Sequence, residues 1–389
     1  MSLITSFWFP ARLAWRQLFH DRTKLIAAIF GVLFATVLVF MQIGFKDSLF
    51  AGASSSPTKM NGDLFLMHKQ TEAMWRSVQF ERSELMRALG HPEVASAYPM
   101  YMGLAQFKDT ETRIKRTLVV YGYDTDVNLM DIKEIQANHE QLRQQDTILF
   151  DESSRPEFGL MRKLISEGKD LNEINDHKVK TVGLFRLGIS FSADANVVTS
   201  DLNFSRIFPN RTLEKIDLGI IKLAPGANVE KVRSELTAML NKNINFFTLD
   251  QLVASEKLYW QIRTPIGFIF GFGAVMGLVV GMVIVYQILF TDIANHLNEF
   301  ATLKAMGYKN NYFIRVVFAS AFFLAILGFM PGYILSIGLY HLAEGQIYMP
   351  MPMTLNKTIT IFLFILTMCA TAGMLAMRKL KSANPADMF

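Results

Sequence analysis

Four stretches of this sequence contain no Asp, Glu, Lys or Arg: Leu25–Phe45, Pro265–Phe290, Val316–Ala343 and Thr358–Met377. A bilayer core about 30 Å thick is crossed by roughly 20 apolar helical residues, so each stretch is long enough to span it. The chain as a whole is 51% hydrophobic and 19% charged, richer in apolar residues than a soluble average. The four windows carry that excess, whereas Lys46–Thr264 between the first two has ordinary soluble composition. The expected fold class is a membrane protein of four transmembrane α-helices plus a large α+β extracytoplasmic domain inserted between helices 1 and 2. The first window is longer than a signal-peptide core, and Gln42-Ile43-Gly44-Phe45 lacks a small-x-small cleavage pattern, so it reads as a retained anchor.

Charge fixes the expected orientation. The net charge of +5 would suit nucleic acid, but the basic residues cluster at helix ends, so no nucleic-acid partner is expected. Arg12, Arg16, Arg22 and Lys24 precede the first span. Lys304, Lys309 and Arg315 follow the second, and Arg378, Lys379 and Lys381 follow the fourth. The loop between the third and fourth spans has only Lys357. Positive residues favour the inner side, so both termini and the middle loop are expected in the cytoplasm. The expected organisation is an amphipathic cytoplasmic segment (1–24), a first span (25–45), the outer domain (46–264) and a second span (265–290). A cytoplasmic coupling segment (291–312), a third span (313–340), a short outer loop (341–357), a fourth span (358–377) and a cytoplasmic tail (378–389) complete it.

Within 1–24, Leu13, Trp15, Leu18 and Phe19 alternate with Arg12, Arg16 and His20, which predicts a surface helix with Pro10 in its first turn. Gly52-Ala53-Ser54-Ser55-Ser56-Pro57 has linker composition. A strand at Asp63–Met67, a helix at Glu81–Leu89 and a strand ending near Phe107 form one strand–helix–strand unit. Leu218–Leu223, a Pro225-Gly226 turn, an Asn228-capped helix and Asn245–Thr248 form another. Two such units suggest paired α+β modules, with further strands at Leu118–Tyr123, Thr147–Phe150 and Lys180–Leu187. Leu249–Thr264 reads as a helix that continues into the second span, and Pro331-Gly332 predicts a kink or break in the third.

The segment Thr291–Gly307 reads as one amphipathic helix. Ile293, Leu297, Phe300, Leu303 and Met306 share a face, Asp292, Asn295, Glu299 and Lys304 project elsewhere, and Gly307 is placed to end it in a left-handed cap. A helix with an apolar base and a polar ridge suits the grip of a cytoplasmic ATPase; a passive connector is the plainer reading. Asp292, Leu297, Glu299, Phe300, Leu303, Lys304 and Gly307 are the candidate coupling residues. Asp292, His296 and Glu299 have a spacing that could present three ligands, but charged and polar groups are expected on any solvated face and no further ligand run supports a site, so no metal is assigned.

Gly273, Gly277 and Gly281 recur every four residues, so that face of the second span is expected to pack closely on a partner copy or on another span. Gln42 is a lone polar group near the outer end of the first span, suited to an interhelical hydrogen bond or to a polar cargo group. Enzymatic chemistry lacks its parts. There is no Gly-x-x-x-x-Gly-Lys-Ser/Thr loop, no His-Glu-x-x-His and no Gly-x-Ser-x-Gly. The single cysteine, Cys369, lies in an apolar window, and His68, His91, His139 and His177 are scattered. No catalytic residue and no cofactor is expected.

Leu13-Ala14-Trp15-Arg16-Gln17-Leu18, Met41-Gln42-Ile43-Gly44-Phe45, the Leu149–Gly159 stretch and Glu299-Phe300-Ala301-Thr302-Leu303-Lys304-Ala305-Met306-Gly307 together resemble the DevC family. These are permeases of cyanobacterial ABC exporters within the FtsX/MacB-like superfamily. The tail departs from the superfamily, with Asn384-Pro385-Ala386 where Asp-Pro-Ala is common. The resemblance implies a homodimer in the inner membrane with its large domain periplasmic. It further implies a cytoplasmic ABC ATPase subunit, a periplasmic adaptor and a TolC-like outer-membrane channel. The implied function is expulsion of an amphipathic cargo, such as a glycolipid, by ATP-driven motion. An FtsX-type transducer that regulates an extracytoplasmic hydrolase is the alternative, and a membrane-anchored sensor without an ATPase is a third reading.

Overall fold

The structure, a computed structural model, describes residues 3–108, 115–158, 161–189, 193–240 and 242–382. The chain opens with helices α1 (Leu3–His20), α2 (Arg22–Ala53) and α3 (Ser55–Thr58). There follow β1 (Leu64–His68), β2 (Phe80–Glu81), α4 (Arg82–Arg87), β3 (Val94–Lys108), β4 (Lys115–Tyr123), α5 (Lys133–Ala137), α6 (His139–Leu142) and β5 (Thr147–Asp151). Next come α7 (Met161–Ser166), β6 (Leu171–Ile174), β7 (His177–Phe185), β8 (Asn196–Ser200), α8 (Asp201–Ile207), β9 (Lys215–Ile216) and β10 (Leu218–Leu223). The rest is α9 (Val229–Met239), β11 (Ile244–Phe247), α10 (Leu249–Leu258), α11 (Pro265–Asn295), α12 (Leu297–Ala305), α13 (Asn310–Ile347) and α14 (Leu355–Ser382). The described residues form two compact units, one of Met1–Asp47, Ile266–Gln346 and Pro350–Phe389, the other of Ser48–Pro265 and Ile347–Met349.

In the first unit, α2, α11, α13 and the Leu355–Met377 part of α14 are long and apolar enough to cross a membrane. A helix satisfies its own backbone polar groups, which hydrocarbon cannot do. Helix α1 buries Ala14 and Leu18, while Trp15 stands edge-on to Phe323 at 5.1 Å between ring centres. Pro10 lies inside α1 rather than in its first turn, because the apolar run before it extends the helix backwards. Pro331 likewise sits inside an unbroken α13. The expected break is absent, and just beyond the proline Ser336 Oγ donates to the Gly332 carbonyl at 2.7 Å.

Two expected connections change form. The Gly52–Pro57 stretch is helical, not a linker. Ser54 Oγ donates to the Phe50 carbonyl and Ser55 Oγ to the Gly52 carbonyl, each at 2.8 Å, so the serines satisfy carbonyls of the last turn. At the other boundary, α10 does not run into α11. A π-turn over Tyr259–Arg263 leads to Thr264, which is extended at φ −113° and ψ 154°. The ring of Pro265 disfavours helical backbone in the residue before it, and Pro265 itself fits the first helical position.

The second unit contains a nine-stranded sheet in the order β11-β1-β10-β3-β4-β8-β5-β7-β6, and β6 also pairs with β3. The two expected strand–helix–strand units, β1-α4-β3 and β10-α9-β11, are therefore not side-by-side modules. They interleave as β11-β1-β10-β3, all antiparallel, the order of a split βαβ fold. The intervening chain supplies the five remaining strands, and the β3–β6 pairing at Phe107↔Ile174 and Lys108↔Glu173 closes these five and β3 into a ring. Strand β1 is buried on both faces. Leu64 and Leu66 join a cluster with Leu85, Val232 and Leu236, whereas Phe65 and Met67 join one with Met100, Tyr121 and Leu252, as the two-residue strand period requires. Asn228 caps α9 through the Lys231 N–H at 3.1 Å, after a turn in which Gly226 has φ +86°.

Candidate functional site

The segment expected to couple to an ATPase begins inside α11. That helix ends at Asn295, His296 leaves helical geometry at φ −98° and ψ 16°, and α12 restarts at Leu297. The single helix expected over Thr291–Gly307 is thus two helices. Asp292 is half-buried on α11, and its carboxylate lies 3.5 Å from His296 Nδ1, which also approaches the Asp292 carbonyl at 2.9 Å. Glu299 and Lys304 are exposed on α12, Leu303 is half-buried, and Met306 is exposed rather than part of an apolar base. The side chains of Leu297 and Phe300 lie outside the described residues, as does 383–389 with Asn384. Gly307 has φ +94°. Its N–H donates to the Lys304 carbonyl at 3.0 Å and the Tyr308 N–H donates to Leu303 at 3.2 Å, so the left-handed residue closes the helix. Among the described residues no group of three metal-ligating side chains is placed to hold an ion.

The glycine row of α11 lies against neighbouring helices of the same chain. A Cβ added at Gly273 would stand 2.6 Å from the Gln42 carboxamide, one at Gly277 2.6 Å from Leu38, and one at Gly281 2.6 Å from Ala35 and 2.7 Å from Met368 Sδ. Gln42 Oε1 is buried and, among the described residues, accepts no hydrogen bond. Its carboxamide packs on the bare Gly273 backbone, so the interhelical bond expected to this oxygen is not made.

A second close contact escaped the sequence reading. Gly328 and Gly332 of α13 face α2, where added Cβ atoms would come within 3.2 Å of the Ile29 and Leu33 carbonyls respectively. The same contact continues at Tyr340, whose hydroxyl donates to the Phe40 carbonyl at 2.6 Å. The signal was present in Gly328-x-x-x-Gly332-x-x-x-Ser336, the same four-residue spacing that marked α11. Lys357, the lone Lys or Arg of the last loop, has its side chain almost wholly buried. It pairs with Asp47 at 3.1 Å, lies 5.5 Å over the Tyr340 ring and donates to the Pro352 carbonyl at 3.2 Å.

Residues 271–385 match the FtsX-like permease C-terminal family. The FtsX-like segment takes in the glycine row of α11, the His296 break, α12 and the α13–α14 pair. It includes every candidate coupling residue and excludes Gln42. No curated protein matches the chain. Among solved structures, the periplasmic region of MacB from Actinobacillus actinomycetemcomitans is similar at 11% identity, covering 51% of this chain and 94% of that one, with a TM-score of 0.37. The extracellular domain of the ABC-type transporter YknZ from Gram-positive bacteria is similar at 11% identity, with 48% and 99% coverage and a TM-score of 0.33. A permease-protein domain from Porphyromonas gingivalis is similar at 14% identity, with 49% and 89% coverage and a TM-score of 0.31.

Proposed function

We propose that this chain is the permease subunit of an ABC-type export complex, converting the ATP cycle of a cytoplasmic partner into motion of a periplasmic domain inserted between its first and second spans. The observation that carries the reading is the FtsX-like match over 271–385, in a chain whose sequence offers no phosphate-binding loop of its own. On this reading both termini are cytoplasmic and α12 presents Glu299 and Lys304 to the ATPase. On the same reading a tilt of α12 passes to α11 across the division at His296. The DevC resemblance extends the proposal to a homodimer in the inner membrane, a periplasmic adaptor, a TolC-like channel and an amphipathic, lipid-like cargo.

Co-purification from native membranes, followed by an ATPase assay and a cargo-release assay, tests it. The expected result is recovery with an ABC ATPase and an adaptor. Glu299→Ala and Leu297→Asp then keep ATP turnover but lower cargo release by at least tenfold, with unchanged membrane yield. Recovery with a wall hydrolase in place of the adaptor moves the reading to an FtsX-type transducer, and wild-type release by both variants removes α12 from the coupling path.

A further inference from the structure

The second unit contains a buried carboxylate that its own chain leaves almost unsupported. Glu256, on α10, is 3% exposed. Its Oε1 accepts one hydrogen bond, from the Met74 N–H at 2.6 Å, and among the described residues no Lys, Arg or His pairs with it. The other deeply buried carboxylates of this unit are served differently. Asp151 accepts from Asn196 and from the N–H groups of Ser153, Leu187 and Gly188. Asp217 pairs with Arg211 and accepts from Ser77 and Met102. A buried carboxylate is ordinarily paired or held by several donors, and burial pushes Glu256 up to about 7.

Glu256 lines a pocket walled by Ser56, Trp75, Tyr121, Asn196 and Trp260. Trp75 and Trp260 stack at 6.1 Å between ring centres, and Trp75 Nε1 is buried with no acceptor among the described residues. The enclosed space amounts to about 30 Å³ for water-sized groups, within a depression of about 520 Å³ counting its open mouth. Since one water needs roughly 10–15 Å³ on that scale, the interior admits a group of two or three heavy atoms. Negative charge beside indole and phenol rings attracts a cation. Its size admits a primary ammonium and excludes a trimethylammonium.

We propose that this pocket receives the primary ammonium group of an alkylamine, with the Glu256 carboxylate as its counter-charge and the Trp75 ring beside it. The site stands independently of the export reading, since its occupancy is measured without an ATPase or a cargo. The amine comes either from solution or from an aminophospholipid headgroup; the pocket-lining Ser56 and Trp260 lie a few residues from α2 and α11 in the sequence. Tyr121 is the other titratable side chain among the lining residues, and burial holds it neutral, pushed up to about 12.

The test is titration of the full-length protein in phosphatidylglycerol nanodiscs with ethylammonium in phosphate buffer at pH 8, read by tryptophan emission. The expected result is a saturable change that tetramethylammonium and ethanol do not produce. Glu256→Gln, which keeps the Met74 contact, weakens binding at least tenfold. For the unaltered protein, lowering the pH from 8 to 5.5 has the same effect, so the outcome does not depend on the variant folding. Adding phosphatidylethanolamine to the nanodiscs raises the apparent Kd when the headgroup is the natural occupant and leaves it unchanged when a soluble amine is; both results keep the ammonium site. Absence of a saturable change, equal binding by Glu256→Gln, or equal binding of tetramethylammonium overturns the proposal.

Discussion

In the membrane unit the large apolar side chains of α11 point outward, with Phe268 at 71% and Phe272 at 55% exposure, while Gly277 and Gly281 face inward. In the Ser48–Pro265 unit the pattern reverses. Phe107, Phe150 and Phe158 are at most 1% exposed and pack within 6 Å of one another, centre to centre. The difference follows from the solvent each surface is built for. Lipid gives apolar side chains no reason to withdraw, so helices associate through close backbone approach. Water drives apolar area inward at about 25 cal/mol per Å².

Truncation in the aromatic cluster is the sharpest way to break this comparison. Phe150→Ala is expected to destabilise the Ser48–Pro265 unit by about 3–5 kcal/mol, measured by denaturant unfolding. A cost below ~1 kcal/mol would mean that the ring of strands closed by β3 and β6 does not enclose a packed core.

The pH dependence of the same unit comes next. The pKa of Glu256 is raised to about 7 from the ordinary 4.5, so its protonated form favours the fold. That contribution is complete below about pH 4.5 and is lost as the pH rises through 7. Each tenfold rise in proton affinity on folding is worth about 1.4 kcal/mol, so the whole contribution amounts to ~3 kcal/mol. Glu256→Gln is expected to remove this loss, so that the difference between variant and parent unfolding energies grows between pH 5 and 8. An unchanged difference over that range would show that folding does not raise the proton affinity of this carboxylate.

The smallest effects fall in the membrane unit. Gly277→Val is expected to cost about 1–2 kcal/mol, because its Cβ meets Leu38 at 2.6 Å and the helices must separate. Val279→Ala, on the exposed face of α11, is expected to change thermal stability in detergent by less than ~0.5 kcal/mol. A Val279→Ala loss as large as that at Gly277 would mark the outward face as a protein contact.

Much of the chain was legible one segment at a time. Charge-free length located the four membrane helices, and short apolar runs bounded by turn residues located β1, β3 and β10. The Asn228 cap and the left-handed Gly307 were readable because each depends on residues three or four positions away. The candidate coupling segment was legible as helix but not as two helices. No glycine or proline marks the interruption at His296.

What escaped the reading depends on partners remote in sequence. The same glycine spacing occurs in α11 and α13, but which helix each row meets is decided by packing, and α2 receives both. The interleaving of β1-α4-β3 with β10-α9-β11, and the return of β6 to β3, join segments that local pattern leaves independent. Nothing local singled out Glu256; the arrival of Met74, from 182 residues earlier, and the Trp75–Trp260 stack made it a buried acid in a small aromatic pocket. Sequence by itself determined the elements and their solvents, because hydrophobic period, caps and span length act over a few residues. Tertiary structure decided the neighbours, because contact and desolvation arise only where distant segments are brought together.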